Sequence, residues 1–214
     1  MTTTAPSSSP PRLDLTLPPF QQELVNVLDD ANYDRGSVAL YTMVPNMPIS
    51  RLEEIAAIPQ EEWENTYMDT KLMRPAKPKA DFVGKKLADV VAAHVAMDKE
   101  LQPIGDGAAQ AGWWPHVFIV VTNTDIEDHG LLLVYADVPD KDEEDAGEDK
   151  TGSGEEGPKM GKFFFQSKNM YDILSGIVLS GYGFDELEDM YGMDSENKED
   201  TEDGEDEGEN DEVI

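Results

Sequence analysis

The tightest constraint on this chain comes from two apolar runs, "HVFIVVT" at 116–122 and "LLLVYAD" at 131–137, which stand only eight residues apart. Each is a short continuous run of β-branched, aromatic and leucine residues between turn formers, the pattern of an interior strand buried on both faces. Parallel neighbours need a crossover of about a dozen residues or more. The connection "NTDIEDHG", Asn123 to Gly130, is too short for that, so the two runs make a hairpin. A hairpin apolar on both faces must lie inside a sheet covered on each side.

The rest of the chain supplies candidates for the sheet and its covers. "SVALYTMV", Ser37 to Val44, reads as a strand that stops at Pro45, and "KFFFQ", Lys162 to Gln166, reads as another. Phe20, Leu24, Val27 and Leu28 recur at helical spacing, which predicts a short amphipathic helix over 20–30. Ile49, Leu52, Ile55 and Ala56 define one face of a second helix that ends or breaks at Pro59. Val83, Leu87, Val90, Val91 and Val95 give the stripe of a third. Met170, Ile173, Leu174, Ile177 and Val178 give a fourth, with Asn169 placed to cap its start and Gly181 to stop it. Phe184, Leu187 and Tyr191 suit a last short helix, and "KLMRPAKPK", Lys71 to Lys79, reads as an exposed connector. The expected fold class is α+β: a mixed sheet of about four strands with packed helices, in a single domain over 20–192.

Net charge is very uneven along the chain. Of a formal −30, residues 139–157 hold −7 and residues 194–214 hold −11, in two Gly-rich acidic runs without apolar periodicity. Such segments bury too little to offset their ordering entropy, so the expectation is an acidic disordered insert at 139–158 and an acidic disordered tail from 193. The Ser/Thr/Pro-rich stretch 1–19 reads as a disordered leader; it lacks the basic start and unbroken apolar run of a secretory signal. No run of about 18 apolar residues occurs, so no membrane span is expected and the reading is an intracellular protein, cytoplasmic or nuclear. Polyanions need basic patches, which disfavours nucleic acid and anionic lipid as partners and leaves a basic protein as the partner this charge admits. Zero cysteines remove disulfides, Cys-ligated zinc and thiol nucleophiles.

The succession of "LLLVYAD", a variable loop, "GKFFFQ" and "MYDILSGIVLSGYGFDELEDM" resembles the carboxy-terminal half of a family of small bacterial and fungal α/β proteins of unknown function. In that family a strand ending in Asp is followed by an F-R-type strand and a helix that runs into an N-x-D-F-x-E-F-like ending. Gly183, Phe184, Asp185 and Leu187 stand where that ending would lie, and Trp63 matches an early Trp. The resemblance covers about residues 115–190 and implies a fold, with no activity attached.

Chemical signatures are sparse. "GDGAAQAG", Gly105 to Gly112, lies before a strand, where a dinucleotide loop would follow one. "DIEDHG", Asp125 to Gly130, imitates the start of a calcium loop, yet Leu133 and Ala136 stand where oxygen ligands belong. No metal site, cofactor or catalytic residue is read. His94 falls on an apolar stripe and reads as a core histidine. Trp113 and Trp114 are adjacent on a strand and so point to opposite faces, which leaves one ring a candidate for exposure. Trp113, Trp114, His116 and Asp137 are therefore the candidates for contact with a ligand or partner. Two functional readings follow: a non-enzymatic interaction domain whose acidic segments engage a basic protein, and an accessory enzyme or small-ligand binder using the face near Trp113, His116 and Asp137.

Overall fold

A computed structural model of the chain describes residues 13–25, 31–65, 70–105, 108–137 and 158–193. Along the chain the strands are β1 (Ala31–Asn32), β2 (Ser37–Thr42), β3 (Met73–Pro75), β4 (Gln102–Gly105), β5 (Ala108–Gln110), β6 (Trp113–Val121), β7 (Leu131–Asp137) and β8 (Lys159–Phe165). The helices are α1 (Ile49–Ala57), α2 (Gln60–Glu64), α3 (Leu87–Ala96), α4 (Ile126–His129), α5 (Met170–Ser175) and α6 (Phe184–Tyr191). The class is α+β, with one mixed sheet of five strands in the order β3-β2-β6-β7-β8 and a small sheet of three, β1-β5-β4, where about four strands were expected in all.

The hairpin forms as its short loop requires, with β6 and β7 antiparallel from Val117↔Tyr135 to Val120↔Leu132. β8 extends it antiparallel over seven pairs, from Leu131↔Phe165 to Asp137↔Lys159. On the other side β2 runs parallel to both β6 and β3. Alternate strand residues feed two cores. Val38, Leu40, Ile119, Leu133 and Phe165 face a layer made by α1, α2, α5 and α6. Ala39, Tyr41, Phe118, Val120 and Leu132 face α3 and the amino-terminal segment. Burial on both faces is why the strands read as unbroken apolar runs.

Several expectations change on contact with the packing. The connector 71–79 contains β3, because Leu72 and Met73 are buried against the sheet while the flanking lysines remain outside. Residues 13–19, expected within the leader, carry Leu13, Leu15 and Leu17 onto the second core, and Asp14 O accepts the Leu87 amide. The helix expected over 20–30 is a 3-10 turn at Gln22–Leu24, and 26–30 lie outside the described residues. Helix α3 starts at Leu87, where Asp89 Oδ2 accepts the Lys86 amide at 2.8 Å and fixes the first turn; Val83 precedes it and is exposed. Ile49 is exposed as well, at the entry of α1. Asn169 makes no capping bond, but the stop at Gly181 holds, with φ of 64° in the left-handed region. Between α5 and that glycine the helix widens into a π turn, Gly176–Ser180. The runs 139–157 and 194–214 and residues 1–12 lie outside the described residues.

Candidate functional site

Three residues of β2, Ser37 to Ala39, lie opposite six of β6, Trp113 to Phe118. The extra length is a bulge over Trp114–Val117, which explains how Pro115 sits in an interior strand: there is no ladder bond at that point for its missing N–H to break. The bulge also places the sequence candidates. Trp113 turns to the second core and is 0% exposed; Trp114 turns to the first and is 3% exposed. Neither ring is exposed, so the single-anchor expectation is replaced by two packed rings on opposite faces.

Trp113 is held by a cation. The Arg74 guanidinium lies 3.7 Å from its ring centroid, while Nη2 of Arg74 donates to Glu100 Oε2 and to the Gly112 carbonyl, both at 2.7 Å. That hydrogen bond, then the guanidinium charge, keeps the Glu100 carboxyl below its ordinary range. Trp114 belongs to an aromatic group with Tyr33 at 4.6 Å and His116 at 5.4 Å, and His116 in turn meets Tyr135 at 5.2 Å. Trp114 Nε1 and His116 Nδ1 are buried without a hydrogen-bond partner among the described residues. Burial pushes the His116 ring down to about 4, so it is neutral at pH 7. Asp137 closes β7 in register with Lys159, and its side chain lies outside the described residues. The structure thus brings Trp114 and His116 together and sends Trp113 to the other face.

His94 is a core histidine, as its stripe position suggested. It is fully buried; Nε2 lies 3.0 Å from the Pro115 carbonyl and Nδ1 lies 3.0 Å from the Tyr41 hydroxyl. A carbonyl only accepts, so Nε2 carries the proton and Nδ1 accepts from Tyr41. Burial, then the Lys99 charge, lowers its affinity for a second proton well below the ordinary histidine value. Lys99 is itself pushed down to about 8 by burial and donates to the His94 carbonyl at the end of α3. Both ring nitrogens are committed to the fold, which leaves none for a substrate.

The other organised surface lies on the layer of α5 and α6. Helix α6 buries Phe184 and Leu187 and exposes Asp185, Glu186, Glu188 and Asp189. Asp185 pairs with Lys159 at 3.2 Å and Glu186 caps the Gly183 amide at 3.2 Å. Leu179 is 48% exposed, Tyr182 38% and Met190 52%. The Tyr182 ring lies over Gly176, where a Cβ would come within 2.7 Å of it. Desolvation, then the nearby Asp172 charge and Tyr182, hold the Tyr191 hydroxyl above its ordinary value. Sequence reasoning passed over Tyr182 and Met190; the available signal was that both lie off the Phe184–Leu187–Tyr191 stripe.

The two acidic runs attach to the chain at opposite ends of β8. Residues 138–157 join β7 to β8 at the Asp137↔Lys159 end of the hairpin. At the opposite end the Met193 amide donates to the Phe164 carbonyl at 2.7 Å, and residues 194–214 follow. Among the described residues no group of three or more His, Cys, Asp or Glu is disposed to hold a metal ion, and no helix is long and apolar enough to cross a membrane. Comparison with family models, with curated proteins and with solved structures gave no match to this chain.

Proposed function

We propose that this protein is a non-enzymatic interaction domain that engages a basic protein partner through acidic charge gathered along one edge of its sheet. What supports this reading is the placement of that charge. A run of −7 enters at one end of β8, a run of −11 leaves from the other, and α6 beside the strand exposes four carboxylates. Polyanionic segments tethered to both ends of one edge raise the local concentration of carboxylates facing a cationic surface, so many weak contacts add together. The test is affinity for a histone preparation at low ionic strength, in the full chain and in a full-length variant whose acidic residues over 194–214 are replaced by their amides. Binding that weakens in the variant supports the reading, and no binding by the full chain overturns it.

A second reading, a small-ligand binder or accessory enzyme on the Trp114–His116 side, is favoured by the two orphaned buried atoms, Trp114 Nε1 and His116 Nδ1. Buried polar groups are ordinarily satisfied, and a ligand or an ordered water is one way to satisfy them. Trp113 does not belong to this site, because it faces the other core.

A further inference from the structure

The five-stranded sheet ends in two different edges. At one, the chain of β3 and its continuation carries Pro75 and Pro78, with Lys77 and Lys79 exposed, residues of the kind that keep an edge from pairing further. At the other, β8 runs for seven residues without a proline. Its pairing with β7 is unshifted, so its main-chain groups alternate between β7 and the open side. Phe164 faces the open side, because its carbonyl accepts the Met193 amide there. Met160 and Lys162 share that phase. Among the described residues neither makes a main-chain hydrogen bond on that side. Beside Lys162 lies a groove of about 410 Å³, walled by Leu13, Asp14, Leu15 and Thr16.

We propose that the open edge of β8 binds an extended segment of a protein partner by strand addition, the segment's main chain pairing with Met160 and Lys162 and its lysine or arginine residues flanking the paired stretch at both ends. This rests on the reading of a basic protein partner and deepens it. The occupant follows from charge. A run of −7 joins the start of β8 and a run of −11 leaves from beside Phe164, so a strand lying between Met160 and Phe164, about 13 Å, meets acidic chain at each end. A second copy of this chain paired here would instead bring four acidic runs together, like charge against like. Main-chain pairing supplies affinity at the edge, and the acidic runs fix where along it a basic segment lies.

The experiment uses the full chain and two synthetic peptides of equal charge. One has about five alternating valine and threonine residues between pairs of lysines; the other is the same peptide N-methylated throughout that centre. Methylation removes the main-chain donors and keeps the charge. A net main-chain hydrogen bond is worth about fivefold in affinity, so losing two or more is expected to weaken binding at least ~10-fold. Hydrogen exchange supplies a second readout: the Met160 and Lys162 amides are expected to gain protection from the unmethylated peptide and none from the methylated one. Equal affinities of the two peptides, or an advantage without new protection at those two amides, overturn this inference and leave the reading of a basic partner standing. Failure of both peptides to bind while a histone preparation binds also overturns this inference alone; failure of all three overturns both.

Discussion

His94 and His116 are held neutral inside the fold, and each makes the protein sensitive to acid. In the unfolded chain both rings titrate near the ordinary value of 6.5; folded, His116 titrates near 4 and His94 well below its ordinary value. Below about pH 6.5 the unfolded state therefore binds protons that the folded state refuses, so stability falls as pH falls, and above it neither ring contributes. For His116 alone the loss between 6.5 and about 4 is on the order of 3 kcal/mol. We expect the urea midpoint to drop between pH about 7 and about 5, and to drop less in His116→Phe, which also removes the orphaned Nδ1. A curve unchanged by that substitution would contradict the burial of a neutral ring. Gly161 offers a second test at this scale. A Cβ there would lie 2.5 Å from the buried Phe184 ring, so Gly161→Ala should push α6 off β8 and cost about 2 kcal/mol, read as a shifted unfolding midpoint. These details were invisible in the sequence: it showed adjacent tryptophans, but the side each takes depends on a bulge created by tertiary pairing.

At the scale of elements, the apolar runs announced β2, β6, β7 and much of β8, because strands buried on both faces leave a dense local signal. β3 and the 13–19 segment did not announce themselves. β3 holds three residues among lysines and prolines, and 13–19 packs through alternate leucines in an extended chain that sets no helical or strand period long enough to read. Of the candidate site, the sequence grouped Trp113 with His116 and Asp137 on one face, whereas the structure turns Trp113 to the second core and sets Trp114 beside His116. Sequence proximity does not reveal a face. Helix α6 was legible as a helix through Phe184 and Leu187, and its exposed face drew no reading. The pairing of β8 yields a prediction here. A protease site placed within 139–157 and cut should leave two fragments that elute together, because seven residue pairs join β7 to β8 and both cores run across the cut. Fragments that separate on cutting, without denaturant, would mean that β8 does not belong to this sheet.

Over the whole molecule the dominant fact is the −30 charge, most of it in two runs that attach at opposite ends of β8. Its total and its division into two runs were plain from the sequence. That the runs attach to opposite ends of one edge strand was not, since it depends on Met193 returning to Phe164. Attraction of this kind is screened: the Debye length is about 8 Å at 0.15 M ionic strength and about 3 Å at 1 M. Apolar burial is not weakened by salt in that way. The most direct measurement is the affinity of the full chain for a histone preparation across that range of salt. The account predicts tight binding at the low end that weakens by orders of magnitude toward 1 M; binding that is indifferent to salt would contradict it.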